Sequence, residues 1–380
     1  MSLLFFAGLV KAIIGMVTQC EAVLLFAGDA MQHKAQLDAA ATGGGTYSYA
    51  ECFEPVKDLV MDADYAVVNL ETPLGGKPYR GYPCFSAPDS YAEALIASGF
   101  DLLLTANNHT LDTRDRGLKR TVDVLDSLAI DHIGTYKNAT ARTTEIPLVV
   151  NIKGFKVGFL NYTYGTNGIE IQSDVVVDYI DREKMAKDIA ATRSAGAEIV
   201  CVAVHWGDEY QLLPNKSQKD LAKWLCDQGV DIIFGGHPHV IQPMELIDNK
   251  ATGRKTALFY SLGNFISNMK TRDTRGGAVS RVTLKRDSEG RAYVDNLTYQ
   301  LVFTVPPTKS GDNFVLYPAN HQAFSATTSS STPTPTSATN GNAATSATQI
   351  PASVRANRDA FVSSAQAIFN RHNKGVTSYD

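Results

Sequence analysis

Short apolar runs separated by amphipathic or turn-rich stretches organise the chain from residue 22 to about 320. The runs are Ala22–Ala27, Tyr65–Leu70, Asp101–Thr105, Lys156–Leu160, Ile199–Val204, Asp231–Phe234 and Ala257–Tyr260. Between them, Arg114–Leu128 and Ser217–Gln228 carry helical spacing. In the second, Leu221, Trp224, Leu225 and Gln228 recur at i, i+3, i+4 and i+7, and Gly229 stops the helix. Strand-like runs alternating with helices predict an α/β fold. After residue 277 the period changes to two over Ala278–Leu284, Ala292–Val294 and Thr298–Thr304, which predicts antiparallel strands.

The two ends read differently. Leu3–Val17 is apolar except for Lys11 and is followed by Cys20. A run of that length suits a signal-peptide core better than a spanning helix. Residues 1–20 are therefore expected to be a signal or membrane-anchor segment, and the protein to be exported to the cell envelope or extracellular face. Gln19 is a poor fit to the small residue that precedes a lipid-anchor cysteine, and the other reading is a frayed segment ahead of the first strand. Ser325–Gln349 holds almost only Ser, Thr, Ala, Pro, Asn and Gly, without charge, and is expected to be a disordered linker. Val354, Phe361, Ala365, Ile368 and Phe369 make one helical stripe, so 350–380 is expected to be a short helix and tail. The domain proper is placed at 21–320.

Composition narrows the class. The 380 residues include 35 Lys+Arg against 39 Asp+Glu, a net charge of −4, with 44% hydrophobic and 19% charged positions. Such a chain can bury a large core without disulfides, and it is neither wholly disordered nor a multi-pass membrane protein. The near-neutral balance excludes nucleic acid as an expected partner. Five cysteines form no CxxC pair, and Cys201 and Cys226 read as buried small hydrophobes.

The chemistry sits at the ends of the apolar runs. Five of the seven end in Gly28-Asp29, Glu71, Asn107-Asn108-His109, His205-Trp206-Gly207 and Gly235-Gly236-His237-Pro238-His239. Ligands of α/β sheets bind beyond the carboxyl ends of strands, so these groups are expected to converge on one rim. Any one of them alone is more commonly a helix cap or surface group; the set points to a metal centre. Asp29, Glu71, Asn108, His205, His237 and His239 form a mixed nitrogen and oxygen set that suits Mn, Fe or Zn. One or two divalent transition-metal ions are expected, with Glu71 the natural bridge. Metals so held activate water near neutral pH.

His109, beside Asn108, is left free to protonate a leaving oxygen. Asp112 is read as the N-cap of the helix that follows, ahead of a role in orienting His109. The loop after Glu71 carries Lys77 and Arg80, which either hold a polyanion or phosphate or sit on an ordinary solvated loop. Trp206 and Tyr210 either wall the site or pack in the core, and Asn264 is read as a partner of a ligand or a turn former.

Taken in order, Gly28-Asp29, Asn69-Leu70-Glu71, Ala106-Asn107-Asn108-His109, Val204-His205-Trp206-Gly207, Gly235–His239 and Ser261–Phe265 resemble the capsule-synthesis CapA family. That family is the bacterial branch of the calcineurin-like metallophosphoesterases associated with poly-γ-glutamate capsules, and the resemblance spans roughly residues 22–305. It implies a calcineurin-like metallophosphoesterase four-layer sandwich, an α/β fold of two mixed β-sheets flanked by helices. It also implies metal ligation by Asp29, Glu71, Asn108, His205, His237 and His239, with His109 as the catalytic acid. Two positions depart from the wider superfamily. Glu71 stands where an Asp usually bridges, and Met31 stands where a His ligand is expected. Met31 is typical of the CapA branch, yet a thioether is a poor ligand for such a cation. His33 is either its substitute or an ordinary loop or helix-surface histidine.

The function implied is a metal-dependent, phosphoesterase-like hydrolase of the cell envelope in capsule or poly-γ-glutamate biosynthesis or export. Its partners would be an anionic polymer or phosphoester substrate and a membrane-bound capsule synthesis complex. The alternative is a non-catalytic polyanion-binding component of such a complex that retains the fold. Met31 favours the alternative; the Asn108-His109 pair favours the enzyme.

Overall fold

The computed structural model describes residues 21–325 and 350–379. The segment expected over 1–20, and all but Ser325 of the linker expected over 325–349, lie outside the described residues.

Each apolar run forms a strand. β1 (Ala22–Ala30), β2 (Tyr65–Leu70), β3 (Leu102–Leu104) and β4 (Asp131–Ile133) lie side by side and parallel. The chain then builds a second sheet from β5 (Leu148–Ile152), β6 (Phe155–Thr163), β7 (Ile199–His205), β8 (Ile232–Gly236), β9 (Met244–Asn249) and β10 (Arg254–Phe259). In it β6, β7, β8 and β10 are parallel, and β5 and β9 are antiparallel edges. The chain returns to the first sheet with β11 (Asn264–Ile266), β12 (Gly276–Arg286), β13 (Ala292–Val305) and β14 (Val315–Pro318). β12 pairs antiparallel with β1, so both sheets are mixed.

The pleat explains why the runs are continuously apolar. Leu24, Phe26, Tyr65 and Val67 of the first sheet meet Val157, Phe159, Cys201 and Ala203 of the second in one core. Alternate residues Leu25, Ala27, Ala66 and Val68 face outward beneath α1 (Asp89–Ala97), and Leu125 of α2 (Arg114–Ser127) joins them. On the other side Val200, Val202 and Val204 lie beneath α3 (Arg182–Ser194) and α4 (Lys216–Asp227). Strands covered on both faces lose the polar alternation of a half-exposed strand. The result is the expected four-layer sandwich, helix–sheet–sheet–helix.

Local chemistry sets the element ends. The Asn215 side chain accepts from the Gln218 backbone N–H, capping α4. The three antiparallel strands expected after residue 277 are two. The runs Ala292–Val294 and Thr298–Thr304 merge in β13 across a bulge, where Leu284 pairs with Val294 and Thr283 with Asn296. One extra residue flips the alternation, which is why the sequence reads as two strands. Cys52, Cys84, Cys201 and Cys226 are free thiols, and Cys201 and Cys226 are buried as expected. No described helix is long and apolar enough to cross a membrane.

The C-terminal stripe docks on the first sheet. α5 (Ala352–His372) buries Phe361, Ala365 and Phe369, with Phe369 4.4 Å from Tyr299 and Phe361 5.9 Å from Phe303 between ring centroids. Phe361→Ala should therefore cost about 3–5 kcal/mol in urea unfolding, as expected for a large-to-small core change. Asn370→Ala, on the exposed face of the same helix, should stay within about 0.5 kcal/mol of wild type.

Candidate metal centre

Two backbone features aim the donors inward. Asp29 lies near the end of β1, where Ala27 pairs with Val68 but Asp29 pairs with Asn69. Gly28 is thus the extra residue of a bulge, and it turns Asp29 to the same face as Asn69 and the second sheet. A Cβ at Gly28 would come within 1.9 Å of the Gly263 carbonyl oxygen, so the close approach excludes a side chain there. At the end of β8, a Cβ on Gly236 would lie 2.7 Å from Asp29 Oδ1, so this position must be bare for the carboxylate to sit between the sheets.

The donors then form two groups of three. Glu71, His205 and His237 make one, and Asp29, Glu71 and His239 the other; in each, one donor atom per residue lies within 4.8 Å of the others. Glu71 belongs to both. Its Oε1 is 3.4 Å from His205 Nε2 and 3.8 Å from His239 Nε2. Asn108 joins the first group, its Oδ1 2.9 Å from His205 Nε2. All six residues are buried. Glu71 Oε1 and His237 Nδ1 have no hydrogen-bond partner, a costly state for buried polar atoms. A divalent cation among these donors would satisfy both, so the donor set fits the ions expected from the sequence. His237 and His239 also hold φ of 101° and 57°, left-handed values that non-glycine residues adopt at a cost.

Protonation follows from this packing. Burial pushes Glu71 well above the usual carboxylate range, and the neighbouring Asp29 charge adds to it. Burial is the largest single influence on Asp29 and pushes it upward, but the hydrogen bond and charge of His239, the charge of His205 and the Asn69 hydrogen bond together outweigh it and hold Asp29 well below its ordinary value. Burial keeps His205 far below the usual imidazole range and lowers His237 to about 4, with His239 adding to the latter. Neutral imidazole is the form that ligates a metal.

His109 is buried beside this cluster. Its Nδ1 lies 2.8 Å from Asp112 Oδ2, and its ring meets Phe85 edge-on at 4.6 Å. The N-cap reading of Asp112 is corrected: Thr113 occupies the cap position of α2. Asp112 instead accepts from the Phe85 backbone N–H at 2.7 Å and holds the His109 ring with the same oxygen. Of the two readings of Trp206, as a substrate-binding wall of the site or as core packing, the structure favours the second. It is 3% exposed, donates from Nε1 to the Tyr260 carbonyl and stacks on Tyr260 in the outer core. Its strand parity points it away from the cleft.

Met31 is buried, and His33 lies outside both donor groups, at the start of the helix Lys34–Ala40, where it accepts from the Asn268 backbone N–H. Lys77 and Arg80 are exposed on the loop that carries Phe85. Asn264 Oδ1 lies 3.1 Å from His239 Nδ1, so it meets a proposed ligand as read.

Asn69 was not singled out from the sequence. Its Nδ2 donates to Asp29 Oδ1 at 2.8 Å and sits 3.3 Å from Glu71 Oε2. The signal was period two in Asn69-Leu70-Glu71, which puts both polar residues on one face.

The family described as "Bacterial capsule synthesis protein PGA_cap" matches residues 23–269. The "Capsule biosynthesis protein CapA" of Bacillus anthracis is 28% identical over 64% of this chain and 59% of its own length. The "PGA biosynthesis protein CapA" of Bacillus subtilis is 29% identical over 63% of this chain and 62% of its own length. The chain thus spans about three fifths of these relatives. The solved NAD nucleotidase of Haemophilus influenzae aligns with a TM-score of 0.46 at 11% identity, over 95% of this chain and 64% of that one.

Proposed function

Because the chain belongs to the bacterial capsule synthesis family PGA_cap, we propose that it is a metal-dependent, metallophosphoesterase-like hydrolase of the cell envelope. It acts on an anionic polymer or phosphoester in capsule or poly-γ-glutamate biosynthesis. The observation that carries this reading is the pair of three-residue donor groups sharing Glu71, whose Oε1 is buried without a partner.

Asp29, Glu71 and His239 would hold one divalent ion, and Glu71, His205, His237 and Asn108 a second; Mn, Fe or Zn suits both sets. Such ions supply Lewis acidity and lower the pKa of water. The remaining work falls to the chain. Asn69 fixes Asp29 and Glu71 in register with each other. Asp112 holds His109 Nδ1, so Nε2 is the ring nitrogen that carries a proton to the leaving atom. Three donors remain around the first ion without Met31, so that departure does not abolish the site.

Metal analysis of protein purified without chelator, alongside hydrolysis of an aryl phosphate with added Mn, tests the reading. At least one bound transition ion per chain and metal-dependent hydrolysis are expected. Protein that stays metal-free after exposure to Mn and Zn would overturn it. Bound metal with no hydrolysis of phosphoesters or γ-glutamyl amides would leave the non-catalytic, polymer-binding role.

A further inference from the structure

Three tyrosines stand at the mouth of the donor cluster, and all are exposed: Tyr82 at 75%, Tyr210 at 52% and Tyr164 at 48%. Each lies over a different part of the centre. The Tyr164 ring is 4.7 Å from His237 and lies nearly parallel to His205 at 6.4 Å. Tyr210 is 6.3 Å from His239, and Tyr82 is 6.4 Å from Phe85, the residue that packs on His109. Large aromatic surface left in water around a buried polar cluster marks a binding surface.

A carboxylate completes the rim. Glu209 lies beside the Tyr210 hydroxyl and close enough to the Tyr164 hydroxyl for its charge to be felt there. It is exposed and enters no ion pair among the described residues. Its placement is built in. Tyr210 is held at φ 65°, with its N–H donating to the Pro238 carbonyl at 2.8 Å, and Gln242 Nε2 pins the next carbonyl, Gln211, at 2.8 Å. The chain therefore holds a strained residue to keep Glu209 and Tyr210 over the His237–His239 loop.

An unpaired carboxylate at this mouth repels an anionic substrate unless that substrate also presents a cation. Aromatic faces beside a carboxylate are the surroundings that hold an ammonium group, through the ring quadrupole and a charge-assisted hydrogen bond. We propose that Tyr82, Tyr164, Tyr210 and Glu209 form a subsite for an ammonium group of the substrate, next to the anionic group taken by the donor cluster. This rests on the reading of the cleft as the binding site for an anionic substrate. In a γ-linked glutamate chain every α-amine but the terminal one is tied up in an amide, so the subsite selects the amino end. A phosphate monoester of an amino alcohol presents the same pair of charges.

Titration calorimetry on the Mn-loaded full chain tests this with four probes: a γ-glutamyl oligomer with a free amino end, its N-acetylated form, phosphoethanolamine, and N-acetyl phosphoethanolamine. A free amine should bind at least roughly tenfold tighter than its acetylated partner. The pair that shows the preference identifies the source of the ammonium. Glu209→Gln and Tyr164→Leu should each erase the preference while leaving metal content unchanged. Equal binding of free and acetylated probes, or a preference that survives Glu209→Gln, would overturn the subsite and leave the proposed function standing. Failure of every probe to bind metal-loaded protein would overturn both.

Discussion

Glu71→Gln should empty both halves of the donor cluster at once. Glu71 is the residue common to the two groups, so the amide leaves each proposed ion without the negative charge the two would share and offers only a weak neutral oxygen in its place. Metal content measured by mass spectrometry should fall to background. His237→Ala removes a donor from one group only, so it should leave the Asp29, Glu71 and His239 group able to bind. Retention of both ions by Glu71→Gln would show that Glu71 does not bridge.

The same variant should fold well, because the amide keeps the shape and loses the buried charge. Folding raises the Glu71 pKa, so the native state holds this proton more tightly than the unfolded chain does. The native state therefore loses stability as pH rises from the ordinary glutamate range toward the folded pKa. Glutamine has no such term. In urea unfolding of metal-free protein, the advantage of Glu71→Gln over wild type should grow with pH across that window. Saturating metal should reverse the order, since the ion then compensates the carboxylate charge.

His109→Asn is expected to leave metal content unchanged and to lower turnover by about 10²–10⁴-fold, the range of a lost general acid. The loss should depend on the leaving group. An aryl oxide departs with little protonation, whereas an alkoxide or amine needs the proton, so the deficit should be larger on an alkyl ester or amide. A uniform loss across leaving groups would mean that His109 shapes the site without transferring a proton. Asp112→Asn should act in the same direction by a smaller factor, because the amide oxygen can still accept from Phe85 while the ring loses its charged partner. Capsule yield decides biological relevance. Normal yield with His109→Asn, but failure when Lys77 and Arg80 are neutralised together, would assign the chain to polymer handling.

Much of this architecture is legible in the sequence, for a definite reason. Strands buried on both faces need unbroken apolar runs, so the run Tyr65–Leu70 coincides with its strand and the run Ile199–Val204 ends one residue short of its own. Parallel strands also leave their carboxyl ends on one rim, which is why the sequence order alone groups Asp29, Glu71, Asn108, His205, His237 and His239.

What escaped depends on approaches between distant segments. Asp112 has the local appearance of a cap, and only the loop that brings Phe85 across 27 positions turns it toward His109. Trp206 follows a donor histidine in sequence, yet the pleat sends it to the opposite face, under Tyr260. The Gly28 bulge, the need for a bare Gly236 and the left-handed Tyr210 are responses to neighbours that arrive from elsewhere in the chain. The His237 N–H meets Asp29 Oδ2 across 208 residues of sequence. Periodicity is set by which faces are buried, so the sequence by itself determined the layers and the rim. Which atoms meet across that rim depends on how the two sheets pack, and only the tertiary structure decided that.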